Sequence, residues 1–320
     1  QSRYDILFIE PQYWLKLDKH FQLSASTPLA INTNQTFLEA FDDLWQLEQH
    51  KNACLTSGKS PEAENFQEHP QVPFSGGWFV FFSYELAQQV EPSLKLPKQE
   101  GDLPVAYAAR IRSAIIHDHR DDLYYLLAEN GLDLESLHRQ IVDDIIRSRK
   151  AEIKSATEQP TLSELQEEND AQFIKAASRV TRYIRDGDVF QVNLSRIWQS
   201  NTRHPLQATH TFAAWSLYRS LRDSNPAPFS GLVSFFDAAN NTSIISSSPE
   251  RLLTVRNIVS DSRPIAGTRP RSLSAAQDKI LHDELHANPK EQAEHVMLID
   301  LIRNDLGRVC EPGSVRVDEF

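Results

Sequence analysis

Apolar and aromatic residues form short, strand-like runs in the first part of the chain. Residues 4–9 (YDILFI) and 78–84 (WFVFFSY) are the clearest of these runs, and both predict buried β-strands. Residues 105–116 and 123–128 predict further strands, and the polar run HDHRDD (117–122) joins them. We therefore expect a meander-like β region in this part of the protein.

Helical periodicity becomes prominent after this region. Charged helix formers from about 133 to 168 predict one long helix and then a loose stretch, SATEQPTLSE, around Pro160. That stretch divides an N-terminal β-rich region, 1–160, from a second region, 161–320. The second region predicts helices at 170–185, 206–223, 274–287 and 290–304, and strands at 188–198, 229–236 and 243–255. Because strands and helices come in blocks rather than in strict alternation, an α+β fold is favoured.

The composition is that of an ordinary globular protein, with 40% hydrophobic and 24% charged residues. There are 33 Lys and Arg against 44 Asp and Glu, a net charge of −11. Because nucleic acids and anionic membranes are bound by clustered cations, this balance argues against both as partners. Only two cysteines occur, Cys54 and Cys310, and the apolar runs are too short to span a bilayer. We therefore expect a cytoplasmic protein.

Polar side chains suited to chemistry begin at residue 188. The run DVFQVNL (188–194) alternates apolar and polar residues, so that Gln191 and Asn193 share one face of the predicted strand. An uncharged amide on a strand can position a small nucleophile without deprotonating it. A glutamine on a solvated face is the alternative interpretation.

Two further motifs contain candidate substrate-binding groups. In SSSPER (246–251), a Pro-containing turn places Glu250 after a strand, where partial burial would keep a carboxylic acid protonated as a proton donor to a leaving hydroxyl. In PIAGTRPR (264–271), Gly267 permits close backbone approach beside the Thr268 hydroxyl and two arginines, a combination that suits a substrate carboxylate. A surface salt bridge and a plain turn are the respective alternatives.

The helix predicted in KEQAEHVMLIDLIRNDLGRV (290–309) has two glutamates near its start. Glu291 and Glu294 are three residues apart and share a face, and the apolar run 296–299 indicates a buried helix. Two carboxylates on such a helix need a proton or a cation. Mg²⁺ is the natural partner, since it binds through one or two carboxylates plus substrate oxygens and water.

Taken in order, GDVFQVNLSR, SSSPERLL, PIAGTRPR and KEQAEHVMLIDLIRNDLGRV resemble the motifs of the chorismate-utilising enzymes. The resemblance implies a large α+β sandwich of two β-sheets enclosed by helices, with a Mg²⁺-dependent site for chorismate. It implies that Glu294 binds Mg²⁺ and that Glu291 lies near the metal and the substrate. It also implies that Gly267 and Thr268 contact chorismate, and that Glu250 assists departure of the C4 hydroxyl.

The same resemblance bears on the nucleophile. Gln191 occupies the place where water-using members of the family carry a lysine, which implies ammonia delivered by a glutamine amidotransferase subunit in a heterodimer. Two ammonia-using members then remain, aminodeoxychorismate synthase component I and anthranilate synthase component I. The segments SRYDILFIEP, GGWFVFFSYELAQQVEP and NPAPFSG resemble the former more closely, and Phe229-Ser230 stands where anthranilate synthases usually carry Tyr-Met.

Ala266 is the observation that favours anthranilate synthase component I. Some aminodeoxychorismate synthases carry a lysine there that adds to chorismate C2, whereas anthranilate synthases carry alanine. We expect formation of 4-amino-4-deoxychorismate for 4-aminobenzoate and folate synthesis, with anthranilate formation for tryptophan synthesis as the alternative.

An alternative of another class is an inactive paralogue that only binds an amidotransferase. The intact Glu250, Glu291 and Glu294 speak against it, because unpaired carboxylates in a disused pocket would only cost stability. Family members continue beyond the position of residue 320 with further metal-binding glutamates and an arginine for the substrate. We therefore expect a catalytic region that is incomplete at the C-terminus and inactive as these 320 residues alone.

Overall fold

The computed structural model describes residues 3–26, 31–56, 72–97, 101–152, 161–162, 164–203, 210–236 and 241–318. The helices are α1 (Phe37–Thr56), α2 (Ala87–Val90), α3 (Leu134–Glu152), α4 (Asp170–Asp186), α5 (His210–Ser224), α6 (Ala275–Ala287) and α7 (Pro289–Gly307). The longer strands are β1 (Tyr4–Ile9), β2 (Tyr13–Leu17), β4 (Gly77–Phe82), β5 (Ala106–Ile111), β6 (Ser113–Asp118), β7 (Leu123–Ala128), β12 (Phe229–Phe236) and β13 (Asn241–Ser248). The shorter strands are β3 (Leu23–Ala25), β8 (Thr161–Leu162), β9 (Gln166–Glu167), β10 (Trp198–Gln199), β11 (Thr202–Arg203), β14 (Thr254–Arg256) and β15 (Val259–Asp261).

The hydrophobic core lies between a four-stranded antiparallel sheet, in the order β3-β2-β5-β4, and helix α1. Strand β2 alternates in the expected way, with Tyr13, Leu15 and Leu17 buried. Phe37 and Leu44 of α1 are also buried in this core. The alternate residues of β2 and the residues on one face of α1 thus form one continuous apolar layer.

A second antiparallel sheet has the order β1-β6-β7. The start of β1 is tied to the end of β6, because the Arg3 guanidinium donates to the buried Asp118 carboxylate at 2.8 Å. The Arg3 hydrogen bonds hold the pKa of Asp118 below its usual range. The remaining pairs are β12 with β13, β14 with β15, β9 with β10 and β8 with β11.

The chain divides into two compact units. Residues 218–232 and 245–320 belong to one, and residues 2–217 and 233–244 to the other. Residues 153–160, where the sequence predicts a boundary, lie outside the described residues, so that the boundary stays a prediction. Of the helices in the described ranges, none combines the length and apolar character that a bilayer crossing requires.

The α+β fold class is confirmed, since antiparallel sheets and blocks of helices make up the described residues. The predicted strands at 4–9, 123–128 and 229–236 coincide with β1, β7 and β12. The predicted strand at 105–116 is two strands, β5 and β6, that belong to different sheets. The prediction that the first strand is buried was wrong, because Leu7 of β1 is 62% exposed.

The strand predicted at 188–198 is also wrong over most of its length. Only Trp198–Gln199 forms a strand, and it pairs with β9. Residues 188–197 alternate in polarity, but no strand within the described ranges pairs with them. A strand needs a neighbour for its backbone hydrogen bonds, and an alternating sequence alone does not provide one.

Candidate active site

Helix α7 holds two of the predicted site residues in place. Its N-cap is Asn288, whose side-chain oxygen accepts hydrogen bonds from the backbone N–H groups of Lys290 at 3.0 Å and Glu291 at 3.3 Å. Pro289 occupies the first helical position, where no hydrogen-bond donor is needed. Glu291 is therefore fixed in the first turn, and Glu294 follows one turn later on the same face.

Removal of this cap provides a direct test of how α7 begins. We expect Asn288→Ala to lower the free energy of unfolding by about 1 kcal/mol, because two N–H groups lose their acceptor. Ser274→Ala is the matched control: Ser274 is the N-cap of α6, but its side chain makes no capping hydrogen bond. Chemical denaturation of the two variants measures the difference, and equal destabilisation would contradict this assignment.

Gly267 and Glu291 are in direct contact. A Cβ atom placed on Gly267 would lie 2.2 Å from Oε2 of Glu291 and 2.6 Å from its Cδ, far inside van der Waals contact. The Glu291 carboxylate is only 16% exposed. The absence of a side chain at residue 267 thus allows a carboxylate from α7 to lie against the backbone of the PIAGTRPR segment.

Arg269 connects this segment to both helices. Its Nη1 donates to the carbonyl of Thr268 at 2.9 Å and lies 3.6 Å from Oε1 of Glu291, while its Nε donates to Glu284 of α6 at 3.1 Å. Arg269 had no individual role among the sequence-based predictions. The available signal was an arginine directly after Thr268, followed by two helices that contain glutamates.

A second arginine of the segment is held by a surface ion pair. Arg271 donates two hydrogen bonds of 2.8 Å to the carboxylate of Asp278, in the first turn of α6. These bonds lower the pKa of Asp278. Because the Arg271 side chain is 89% exposed, the pair fixes the end of the segment rather than a buried site.

Glu250 lies beside the same segment. Its Oε1 accepts a hydrogen bond of 3.2 Å from the backbone N–H of Ile265, and its own carbonyl accepts one from the Ser248 hydroxyl. The turn is held further by an ion pair between Arg251 and Asp261 of β15. Glu250 is exposed, so the partial burial that we expected for a proton donor is not found within the described residues.

Glu294 is half-buried, and its carboxylate has no hydrogen bond or ion pair with any residue in the described ranges. Glu291, by contrast, shares its charge with Arg269. Helix α7 is less enclosed than the sequence indicated, because none of its residues is fully buried and Val296 is 52% exposed. Of the two glutamates, Glu294 is the one that is available to a cation.

The structure thus brings Glu250, Ala266, Gly267, Thr268 and Glu291 together, with Glu294 one helical turn from Glu291. Ala266 is half-buried and Thr268 is exposed. Gln191 lies in the other compact unit and is exposed. Its predicted role therefore stays a prediction.

The arrangement can be compared with known proteins. The chain is 36% identical over 260 residues to an anthranilate synthase component I-like protein of Synechocystis, which covers 80% of this chain and 49% of the relative. It is also 36% identical over 271 residues to aminodeoxychorismate synthase component 1 of Bacillus subtilis, which covers 82% of this chain and 54% of the relative. The chain spans about half the length of these curated relatives.

A solved structure and a family model also match this chain. The crystal structure of anthranilate synthase component I from Streptococcus pneumoniae matches with a TM-score of 0.72 at 24% identity, over 100% of this chain and 65% of the other. This likeness confirms the predicted fold. The family model described as "chorismate binding enzyme" matches residues 10–320. The chain belongs to the chorismate-binding enzyme family.

Proposed function

We propose that the full-length protein is aminodeoxychorismate synthase component I. It would aminate chorismate to 4-amino-4-deoxychorismate in the cytoplasm, with ammonia from a glutamine amidotransferase subunit, for 4-aminobenzoate and folate synthesis. The observation that carries this proposal is the resemblance of the segments SRYDILFIEP, GGWFVFFSYELAQQVEP and NPAPFSG to aminodeoxychorismate synthase. Gln191, a neutral amide where water-using relatives carry lysine, supports ammonia as the nucleophile. The similarity to the Bacillus subtilis aminodeoxychorismate synthase supports the proposal.

The residues of the PIAGTRPR segment would bind the substrate. The Thr268 hydroxyl is exposed and Gly267 presents bare backbone, so both can contact a carboxylate of chorismate. Arg269 holds the Thr268 carbonyl and thereby fixes the direction of this short stretch. Binding energy is then used for orientation rather than for ordering a loose loop.

Glu250 would give its proton to the C4 oxygen of chorismate as the C4–O bond breaks and water leaves. The nitrogen of ammonia forms the new bond at C4 and passes one proton to the Glu250 carboxylate, which restores the acid. The hydrogen bond from the backbone N–H of Ile265 holds the Glu250 side chain beside the segment during this transfer. Ala266 has no amine, so this route proceeds without a covalent bond between the substrate and residue 266.

Glu294 would hold Mg²⁺, with Glu291 close by. The fit rests on the half-buried Glu294 carboxylate that has no partner in the described part of the chain, and on the preference of Mg²⁺ for carboxylate oxygens. When bound, Mg²⁺ supplies positive charge that offsets the negative charge of the substrate. Glu291 already forms an ion pair with Arg269. It would therefore lie near the cation without being its main ligand.

Anthranilate synthesis is the second candidate, and Ala266 is the observation that favours it, together with the Synechocystis anthranilate synthase component I-like relative. The two candidates use the same substrate, cation and nucleophile. They differ in the carbon atom that receives nitrogen, so that identification of the product separates them.

The test supplies the full-length protein with chorismate, Mg²⁺ and ammonium, and identifies the product by mass and chromatography. We expect a non-fluorescent amino product that an added lyase converts to 4-aminobenzoate, and no product when EDTA removes Mg²⁺. Direct formation of fluorescent anthranilate would overturn the proposal in favour of the alternative. No consumption of chorismate, even with the amidotransferase subunit and glutamine, would indicate the inactive paralogue.

A further inference from the structure

We infer that Asp5, His117 and His119 form a binding site for Zn²⁺ on the β1-β6-β7 sheet. One ligand atom from each of the three residues lies within 4.8 Å of the other two. The site is independent of the proposed chorismate chemistry, since it uses none of the residues assigned to it.

The sheet itself brings these side chains together. Asp5 of β1 and His117 of β6 are directly opposite each other in the antiparallel register. His119 follows two residues after His117, and its backbone N–H donates to the carbonyl of Arg3, which continues the ladder. Because side chains alternate along a strand, residues 117 and 119 share the face that Asp5 occupies.

The distances suit a small ion. Nε2 of His119 lies 3.1 Å from Oδ2 of Asp5, and the rings of His117 and His119 have centroids 4.3 Å apart. A tetrahedral centre with bonds of about 2.0–2.2 Å has ligand atoms about 3.3–3.6 Å apart. Small side-chain rotations therefore suffice to bring all three ligand atoms onto one ion.

The donor set selects the metal. Two imidazoles and one carboxylate are typical ligands of Zn²⁺ and other first-row divalent ions, whereas Mg²⁺ prefers oxygen ligands. Asp122 places a second carboxylate 2.9 Å from Nε2 of His117. A carboxylate that holds a metal-binding imidazole in this way is a common feature of zinc sites.

The site is built on fixed elements. The His117 ring stacks on Tyr124 of β7, with centroids 4.1 Å apart and the planes 3° from parallel. His117 is 17% exposed and His119 39% exposed, so the site is restrained but open to solvent. A bound ion would join β1, at the edge of the sheet, to the residues that connect β6 and β7. Such an ion stabilises the fold by mass action, because it binds the folded chain.

The test uses the full-length protein after removal of metals, titrated with ZnCl₂ in competition with a chromogenic chelator. We expect this site to bind one equivalent of Zn²⁺ and the bound ion to raise the melting temperature of the protein. Asp5→Asn, His117→Gln and His119→Gln should each weaken this binding by at least about tenfold. His119 is the more exposed of the two histidines, and far-UV circular dichroism of the His119→Gln variant checks that the fold is kept.

A second histidine pair provides the control. His282 and His286 of α6 are exposed, and their ring centroids lie 4.4 Å apart. The variant with His282→Gln and His286→Gln should keep the Zn²⁺ binding that the sheet variants lose. The inference is overturned if the wild type binds no zinc, if the sheet variants bind zinc as tightly as the wild type, or if only the α6 variant loses it.

Discussion

Replacement of Glu294 by glutamine in the full-length protein is expected to reduce Mg²⁺-dependent chorismate turnover by about a thousandfold, equivalent to about 4 kcal/mol in the barrier. Glutamine keeps the size of the side chain but removes the charge that the cation requires. Since the Glu294 carboxylate has no partner in the described part of the chain, its loss breaks no protein contact there. The free energy of unfolding should therefore change by no more than about 0.5 kcal/mol.

The control for this variant is Asp283→Asn, which removes one negative charge from an exposed position on α6. We expect it to retain wild-type turnover and the wild-type dependence on Mg²⁺ concentration. Initial rates across a Mg²⁺ titration measure both properties. If the Glu294→Gln enzyme keeps more than a third of the wild-type rate at the same Mg²⁺ concentration, Glu294 is not the metal ligand.

Gly267→Ala is expected to lower kcat/KM for chorismate by about a hundredfold, the scale of loss when a binding group is displaced by about 1 Å. The added methyl would overlap the Glu291 carboxylate, which must then move away from the segment that we propose to bind the substrate. The carboxylate is the end of a flexible side chain, so the fold can absorb this movement. We therefore expect the loss in substrate binding and not in stability.

Gly231→Ala is the matched control, because a Cβ atom on Gly231 of β12 meets no atom within 4 Å. A second measurement combines Gly267→Ala with Glu291→Ala. If the clash causes the defect, Gly267→Ala should cost much less in the Glu291→Ala background than in the wild type. Wild-type kinetics for Gly267→Ala, or fully additive effects in the double variant, would show that this contact is unimportant.

The elements that the sequence predicts well have local signals at both ends. Helix α4 begins after Asn169, whose side chain accepts a hydrogen bond from the N–H of Ala171, and ends at Gly187 in the left-handed conformation. Helix α7 begins with the pair Asn288-Pro289. Such signals act within a few residues, so that one sequence contains all the information needed to recognise them.

The features that the sequence did not predict depend on distant contacts. The alternation at 188–197 predicts a strand, but pairing depends on a neighbour that local sequence does not specify. Helix α1 was not identified, although Phe37 and Leu44 are central to the core, because their importance comes from packing on β2 and β5. The family motifs predicted which residues form the candidate site, and the structure places Gly267 against Glu291. They did not predict the contacts of Arg269 with Glu284 and Glu291, which span 15 and 22 positions in the chain.

These contacts have a consequence for enzyme engineering. Since one guanidinium reaches the Thr268 carbonyl, Glu284 and Glu291, the orientation of Thr268 depends on a side chain that is 57% exposed on the outside of α6. Libraries aimed at substrate selectivity need not alter the residues that we propose to contact the substrate. Position 284 offers a solvent-facing starting point from which the geometry around Thr268 can be adjusted in small steps.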